Sequence, residues 1–281
     1  MDMYTHTHPQ TESSLSFFRA DNETQPHTQT LDGLVSYWTD RAHSYSEQNM
    51  EEMNDWRRDA WRSLILSHAP GKDRLRVLDV GTGPGFFAMN LALAGHDVTA
   101  VDVTEHMLFH AAANARAYHA DVRFVLHRGE KLPFGDSAFD LVVSRNVLWN
   151  LEYPSQALSE WARVLAPGGR MVYFDANWYL YLFDEALRRT REERKATFHQ
   201  KYPNLQKTWD LGAKRTRELE EIARALPLSR EIRPDWDVKM LESLDMRIVR
   251  ILEKAGRNVQ DPVEFERDDP TQMFMVCAQK Q

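Results

Sequence analysis

The chain has 281 residues, 42% of them hydrophobic, enough to bury the core of one large α/β domain with an appended lobe. Its 35 basic and 42 acidic residues leave a net charge of -7, which excludes a general electrostatic pull toward nucleic acid or an anionic membrane. The one cysteine, Cys277, excludes an intramolecular disulfide and a CxxC metal site. With no apolar run long enough to span a bilayer and no basic-then-apolar leader, a cytoplasmic protein is expected.

Residues 1–32, rich in Thr, Gln, Ser and His, hold too little apolar surface to offset their ordering entropy and read as a flexible tail. From 33 to 70 the pattern is helical: Met53, Trp56, Ala60, Leu64 and Ile65 recur at spacings of three and four, and Pro70 and Gly71 close this N-terminal cap. Between 71 and 175 strand-like runs ("LRVLDVG", "DVTAVDV", "VRFVLH", "FDLVVSR", "RMVYFDA") alternate with amphipathic segments. That tempo predicts a doubly wound, mostly parallel sheet. Residues 176–240 break it with an aromatic cluster, "NWYLYLF", and two charge-rich helical segments at 184–201 and 213–226. They are too long for an ordinary crossover and read as a lid. Residues 241–281, with "MRIVRIL" and "QMFMVCAQ", supply the last two strands as an antiparallel pair, and Cys277 reads as a buried strand residue.

The stretch "VLDVGTGPGF", Val77 to Phe86, places a bare loop between a strand and a helix, where a ligand can approach the main chain. The dinucleotide fingerprint GxGxxG/A needs a third small residue at Phe86, and the phosphate loop needs a Lys-Ser or Lys-Thr that does not follow. A ligand with a carboxylate and a ribose but no phosphate fits better. Asp102 ends the next strand, 21 residues beyond Gly81, where a carboxylate accepts hydrogen bonds from ribose hydroxyls.

In order and spacing, "VLDVGTGPG", "VTAVDVTEHML", "LPFGDSAFDLVVSRNVLWNL" and "RVLAPGGRMVYFD" resemble class I S-adenosylmethionine-dependent methyltransferases of the small-molecule type. The resemblance covers about Val77 to Ala176 and implies a Rossmann-like, seven-stranded sheet with a reversed final strand. It also implies that Asp79, Gly81, Thr82, Gly83 and Gly85 face the methionine part of the cofactor, Asp102 its ribose, and Val103 and Met107 its adenine. Where the family carries an Asp for the adenine amino group, this chain has His127, Arg128 and Gly129, which leaves Glu130 or the Gly129–Glu130 backbone for that contact. Asn146 matches the place where the main chain meets the amino-acid end. Tyr37, Arg41 and Tyr45, in "YWTDRAHSYSEQN", are expected to close over the cofactor.

Methyl transfer from a sulfonium is an in-line displacement that depends on alignment and needs no metal or covalent intermediate. No general base is identified: His43, His110, His119, His127 and His199 are dispersed, without a partner carboxylate at a diagnostic spacing. The acceptor is expected against Trp149, Asn177, Trp178 and Tyr181, which follow strands on the crevice side, with His199 in the lid. Residues 176–240 carry 14 basic and 11 acidic residues, a bias suited to a carboxylate-bearing acceptor, while the aromatic faces suit a planar or cationic one. Two other readings stay open: a non-catalytic cofactor-binding regulator and, against Phe86, a nicotinamide-linked oxidoreductase. Nucleic-acid methylation has neither a basic stripe nor the DPPY-type tetrad, which "SRNV" replaces.

Overall fold

In the computed structural model, the described residues are 17–19, 28–128, 131–203, 205, 212–267 and 271–281. The strands are β1 (Phe18–Arg19), β2 (Arg76–Val80), β3 (Asp97–Asp102), β4 (Val122–Leu126), β5 (Phe139–Arg145), β6 (Leu165–Asp175), β7 (Met246–Leu252) and β8 (Phe274–Lys280). They form one sheet in the order β1-β4-β3-β2-β5-β6-β8-β7, parallel except where β8 runs against β6 and β7. The seven expected strands are present, doubly wound, and β1 adds a two-residue parallel edge from within the stretch read as a tail.

The central strand β2 is apolar on both faces because helices cover both. On one side Trp61 and Ile65 of α2 (Trp56–Leu66), with α3 (Phe86–Leu93) and α4 (Glu105–Ala117), pack on Val77, Leu141 and Val172. On the other, Leu158 and Trp161 of α5 (Pro154–Val164) meet Leu78 and Val142, joined by Leu241 of α8 (Asp235–Ser243).

Three sequence boundaries are corrected. Helix α1 (Gln29–Met53) begins within the expected tail, where the Thr28 hydroxyl caps it by accepting from Leu31 N. The single helix expected over 33–70 is two helices, because Asn54 ends α1 and the Asp55 carboxylate caps α2 by accepting from Arg57 N. The span read as a lid divides. Helix α6 (Glu185–Lys201) buries no residue, and α7 (Gly212–Ala225) packs Leu219 and Ala223 toward α1, but residues from Leu228 onward and α8 lie on the sheet. Among the described residues no helix is long and apolar enough to cross a membrane.

A closed ionic cluster fixes the end of β6. Arg233 donates from Nε and Nη2 to Asp237, at 2.9 and 2.6 Å, and from Nη1 to Asp175 at 2.6 Å. The Tyr173 hydroxyl donates to Asp237 at 2.8 Å, and the Asn177 side chain bonds both the carbonyl and the amide of Arg233. Asp175 also accepts from Trp149 N at 3.0 Å, which sets the course of the segment after β5.

Candidate active site

The strand order reverses between β2 and β5, and the register Val80–Val101 and Val80–Ser144 brings Gly81, Asp102 and Arg145 to one sheet end. Crevices in doubly wound sheets open at such switch points. The loop after β2 is held by Thr82, whose amide donates to Val101 O at 3.0 Å and whose hydroxyl donates to Asp79 Oδ2 at 2.6 Å. Gly81, at φ +65°, leaves no room for a Cβ, which would collide with Val147 Cγ2. Gly85 serves another end: at φ +92° it caps α3, and a Cβ there would lie 3.2 Å from Ala111 Cβ on α4. Its bareness lets two helices approach, and it does not line the cavity at this sheet end.

Asp102 accepts from Gly83 N with one carboxylate oxygen and from Thr104 N with the other, each at 2.8 Å. Each oxygen keeps a second lone pair for a ligand. Burial raises the Asp102 carboxyl above its ordinary range, and the two amides oppose that. The Thr104 hydroxyl does not cap α4; Asp102 holds the Thr104 amide just ahead of the helix.

Sequence reasoning missed the charge beside this loop. Arg145 donates to Glu52 at 2.7 Å and to Asn49 at 3.3 Å, both on α1, and its guanidinium lies over the rings of Trp61, Phe86 and Phe87 at 4.9–5.3 Å. The signal was a cation closing the strand run "FDLVVSR". Asp79 accepts from both the Thr82 hydroxyl and Ala88 N at the same oxygen, and burial pushes its carboxyl up to about 7, against the pull of those bonds and of Arg145.

A cavity of about 190 Å³ opens over these groups. Its floor includes Asp79, Gly81, Gly83, Asp102 and Asn146, and its roof is α1 through Leu31, Leu34, Trp38 and Tyr45. Asn146 stands at φ +59°, and its Oδ1, like those of Asn150 and the Thr104 hydroxyl, is buried with no hydrogen-bond partner among the described residues.

Of the residues expected at the cofactor, Tyr45, Asp79, Gly81, Thr82, Gly83, Asp102, Val103, Met107 and Asn146 line this cavity. Tyr37 and Arg41 do not: Tyr37 is buried with Leu34 and Trp149, and Arg41 donates to Ser44. Gly129 and Glu130 lie outside the described residues.

None of the residues expected at the acceptor lines the cavity. Trp149 packs on Tyr179, ring centroids 5.0 Å apart, and Trp178 joins the same apolar cluster. Asn177 is engaged with the Arg233 backbone, Tyr181 donates to Glu220 at 2.7 Å beneath Arg191, and His199 is exposed on α6 beside Phe198. The physical reason is direction: the chain leaving β6 turns away from the switch point and spends its aromatics joining α7 to α1.

Comparison with known proteins places this geometry. The methyltransferase-domain family matches residues 78–173. A malonyl-acyl carrier protein O-methyltransferase of Erwinia pyrifoliae is 40% identical over 113 residues, covering 39% of this chain and 40% of that protein. A demethylmenaquinone methyltransferase of Renibacterium salmoninarum is 34% identical over 142 residues, 50% of this chain and 57% of its own. The chain thus spans less than two thirds of the length of these relatives. In fold it resembles an S-adenosylmethionine-dependent methyltransferase of Aquifex aeolicus (TM-score 0.51, 21% identity, 84% of this chain and 98% of that one). The cyclase SpnF has the same fold (TM-score 0.52, 16% identity, 79% and 80%), so the fold by itself does not fix the reaction. The matched blocks carry the glycine loop and Asp102 that floor the cavity, and over residues 78–173 the chain carries a methyltransferase domain.

Proposed function

We propose that the chain transfers a methyl group from S-adenosylmethionine to a small-molecule acceptor, both held in the cavity between the sheet end and α1. The observation that carries this is the continuity of one cavity, from Asp102 and the glycine loop to the apolar roof of α1. The wall fits such a cofactor. Asp102 has acceptor capacity for ribose hydroxyls, Val103 and Met107 offer apolar contact for a base, and Asn146 lines the same wall beside the glycine loop. When bound, the cofactor supplies an electrophilic methyl on a sulfonium.

The chain's own contribution is alignment. Placing two reactants at near-attack distance is worth roughly 7–11 kcal/mol in well-oriented systems. Trp38 and Tyr45 in the roof exclude water and present ring faces to positive charge. No residue needs to act as nucleophile, and no metal enters. The two relatives act, by their names, on a malonyl-acyl carrier protein and on demethylmenaquinone. The acceptor here is read instead from the cavity, whose roof is mostly apolar. The buried single cysteine Cys277 supports a reducing, cytoplasmic setting.

Calorimetric titration with S-adenosylhomocysteine tests the reading, with micromolar binding expected. Absence of binding at millimolar concentration removes it. Incubation with methyl-labelled cofactor and pooled metabolites separates an enzyme from a regulator, since a regulator yields no labelled product.

A further inference from the structure

Beyond the glycine loop the cavity is lined by Asn150, Leu151 and Glu152, which follow β5 and face Leu31, Leu34 and Trp38 of α1. Several half-buried carboxylates are matched to cations, Glu52 with Arg145, Glu160 with Arg163 and Glu264 with Arg57, whereas others, such as Glu220, take only a hydroxyl. Glu152 is also half-buried, yet no cation pairs with it among the described residues. Its carboxylate takes the Thr28 hydroxyl alone, at 2.7 and 2.6 Å to its two oxygens.

One residue away from Leu151, Asn150 has its Oδ1 buried without a partner, while its Nδ2 points the other way to Asn146 O at 3.4 Å, which fixes the amide's orientation. This end of the cavity therefore carries one carboxylate with no cationic partner among the described residues, beside an indole and three leucines. Leaving a half-buried carboxylate without a cation is costly, so the fitting occupant is one that donates N–H bonds and carries positive charge.

We propose that the methyl acceptor is an amine on an apolar body, anchored by Glu152 with its carbon chain against Leu31, Leu34 and Leu151. This deepens the methyl-transfer reading above and rests on it. An alkylammonium gains the Glu152 charge and the Trp38 ring face together. A carboxylate-bearing acceptor, expected from the positive bias of residues 176–240, meets Glu152 as a like charge, and the basic helices α6 and α7 do not line the cavity. In the transfer, the bound ammonium first gives one proton to the Glu152 carboxylate; the freed lone pair then forms the N–C bond as the C–S bond breaks with its pair left on sulfur. The positive charge passes from sulfur to nitrogen, the methylated amine leaves as an ammonium, and Glu152 returns its proton to water.

The competing account is that Glu152 merely tethers the start of α1 through Thr28. Titration of the S-adenosylhomocysteine-loaded protein with graded alkyl- and arylalkylamines, and with phenols and carboxylates of matched size, separates the two. Amines are expected to bind best. Glu152→Gln should cost amine affinity at least about tenfold, the value of a charge-assisted hydrogen bond, and leave S-adenosylhomocysteine affinity unchanged. Thr28→Ala, which removes the tether and keeps the carboxylate, should change amine affinity by less than about threefold, below the value of such a bond. Preference for phenols or carboxylates, failure of every amine to bind, or equal effects of the two variants overturns the proposal. Failure of S-adenosylhomocysteine to bind would instead strike the methyl-transfer reading, and amine titration of the unloaded protein would still decide the cation site.

Discussion

Arg145 and Arg233 are both buried among carboxylates, one at the end of β5 and the other just before α8, with side chains 11% and 1% exposed. Arg233 spends three donors on two carboxylates, taking both oxygens of Asp237, whose Oδ1 the Tyr173 hydroxyl shares, while the second oxygen of Asp175 is taken by Ala176 N. Arg145 spends two donors, on Glu52 and Asn49, and its remaining edge lies on the cavity. Both are buried ion clusters, and both perturb their neighbours' titration. What separates a strut from a binding wall is leftover hydrogen-bonding capacity facing open space, not burial or a shifted pKa.

The sharpest way to break the comparison is in the closed cluster. Arg233→Met leaves Asp175 and Asp237 buried without their cation and is expected to lower unfolding free energy by about 3–5 kcal/mol, read as a fall in the denaturant midpoint. A midpoint unchanged within error would show that the cluster is not what fixes β6. At the open site, Asp102→Ala should leave most of the stability but weaken S-adenosylhomocysteine binding by about 1.5–3 kcal/mol, the worth of hydrogen bonds to a charged group. Unaltered affinity in calorimetry refutes the ribose role.

A subtler effect is expected at Asp79. A carboxyl raised from 3.8 to about 7 on folding binds its proton more tightly in the folded chain. Its contribution to stability is therefore complete below about pH 4 and is lost as pH rises toward 7. Both of its bonds converge on one oxygen, so Asp79→Asn can keep the Thr82 and Ala88 contacts and should flatten that part of the stability–pH curve. An equally steep curve in the variant would assign the titration to another group. Smallest of all is His199→Ala on the exposed face of α6, where stability should stay within about 0.5 kcal/mol and S-adenosylhomocysteine affinity should not move. A measurable loss of affinity would return the histidine to the site.

The sheet and the cofactor end were legible because they depend on local, ordered signals. Apolar runs with glycine punctuation fix the strands, and the 21-residue step from Gly81 to Asp102 is the length of one crossover. Asp79, Gly83 and Asp102 then fall together by topology alone. The Glu152 end and the Arg145 pair were not legible, since both are built by long-range contacts: Thr28 to Glu152, Glu52 to Arg145. Trp149, Trp178 and Tyr181 do sit beyond strand ends, as read. Strand ends specify a place but not a direction, and these side chains point into the packing between α1 and α7 or toward the surface. The break between α1 and α2 escaped for a related reason, because apolar spacing continues across Asn54 and Asp55 and only the capping bonds stop the helix.

Helix α1 touches every part of this arrangement. It carries Tyr45 beside Gly83, Asn49 and Glu52 under Arg145, and Thr28, Leu31 and Trp38 around Glu152. The two ends of the cavity thus share one wall. A ligand that orders α1 from either end lowers the entropy left to be lost at the other, so donor and acceptor are expected to bind with positive cooperativity even if neither touches the other. By reciprocity, the factor by which S-adenosylhomocysteine tightens amine binding must equal the factor by which the amine tightens S-adenosylhomocysteine.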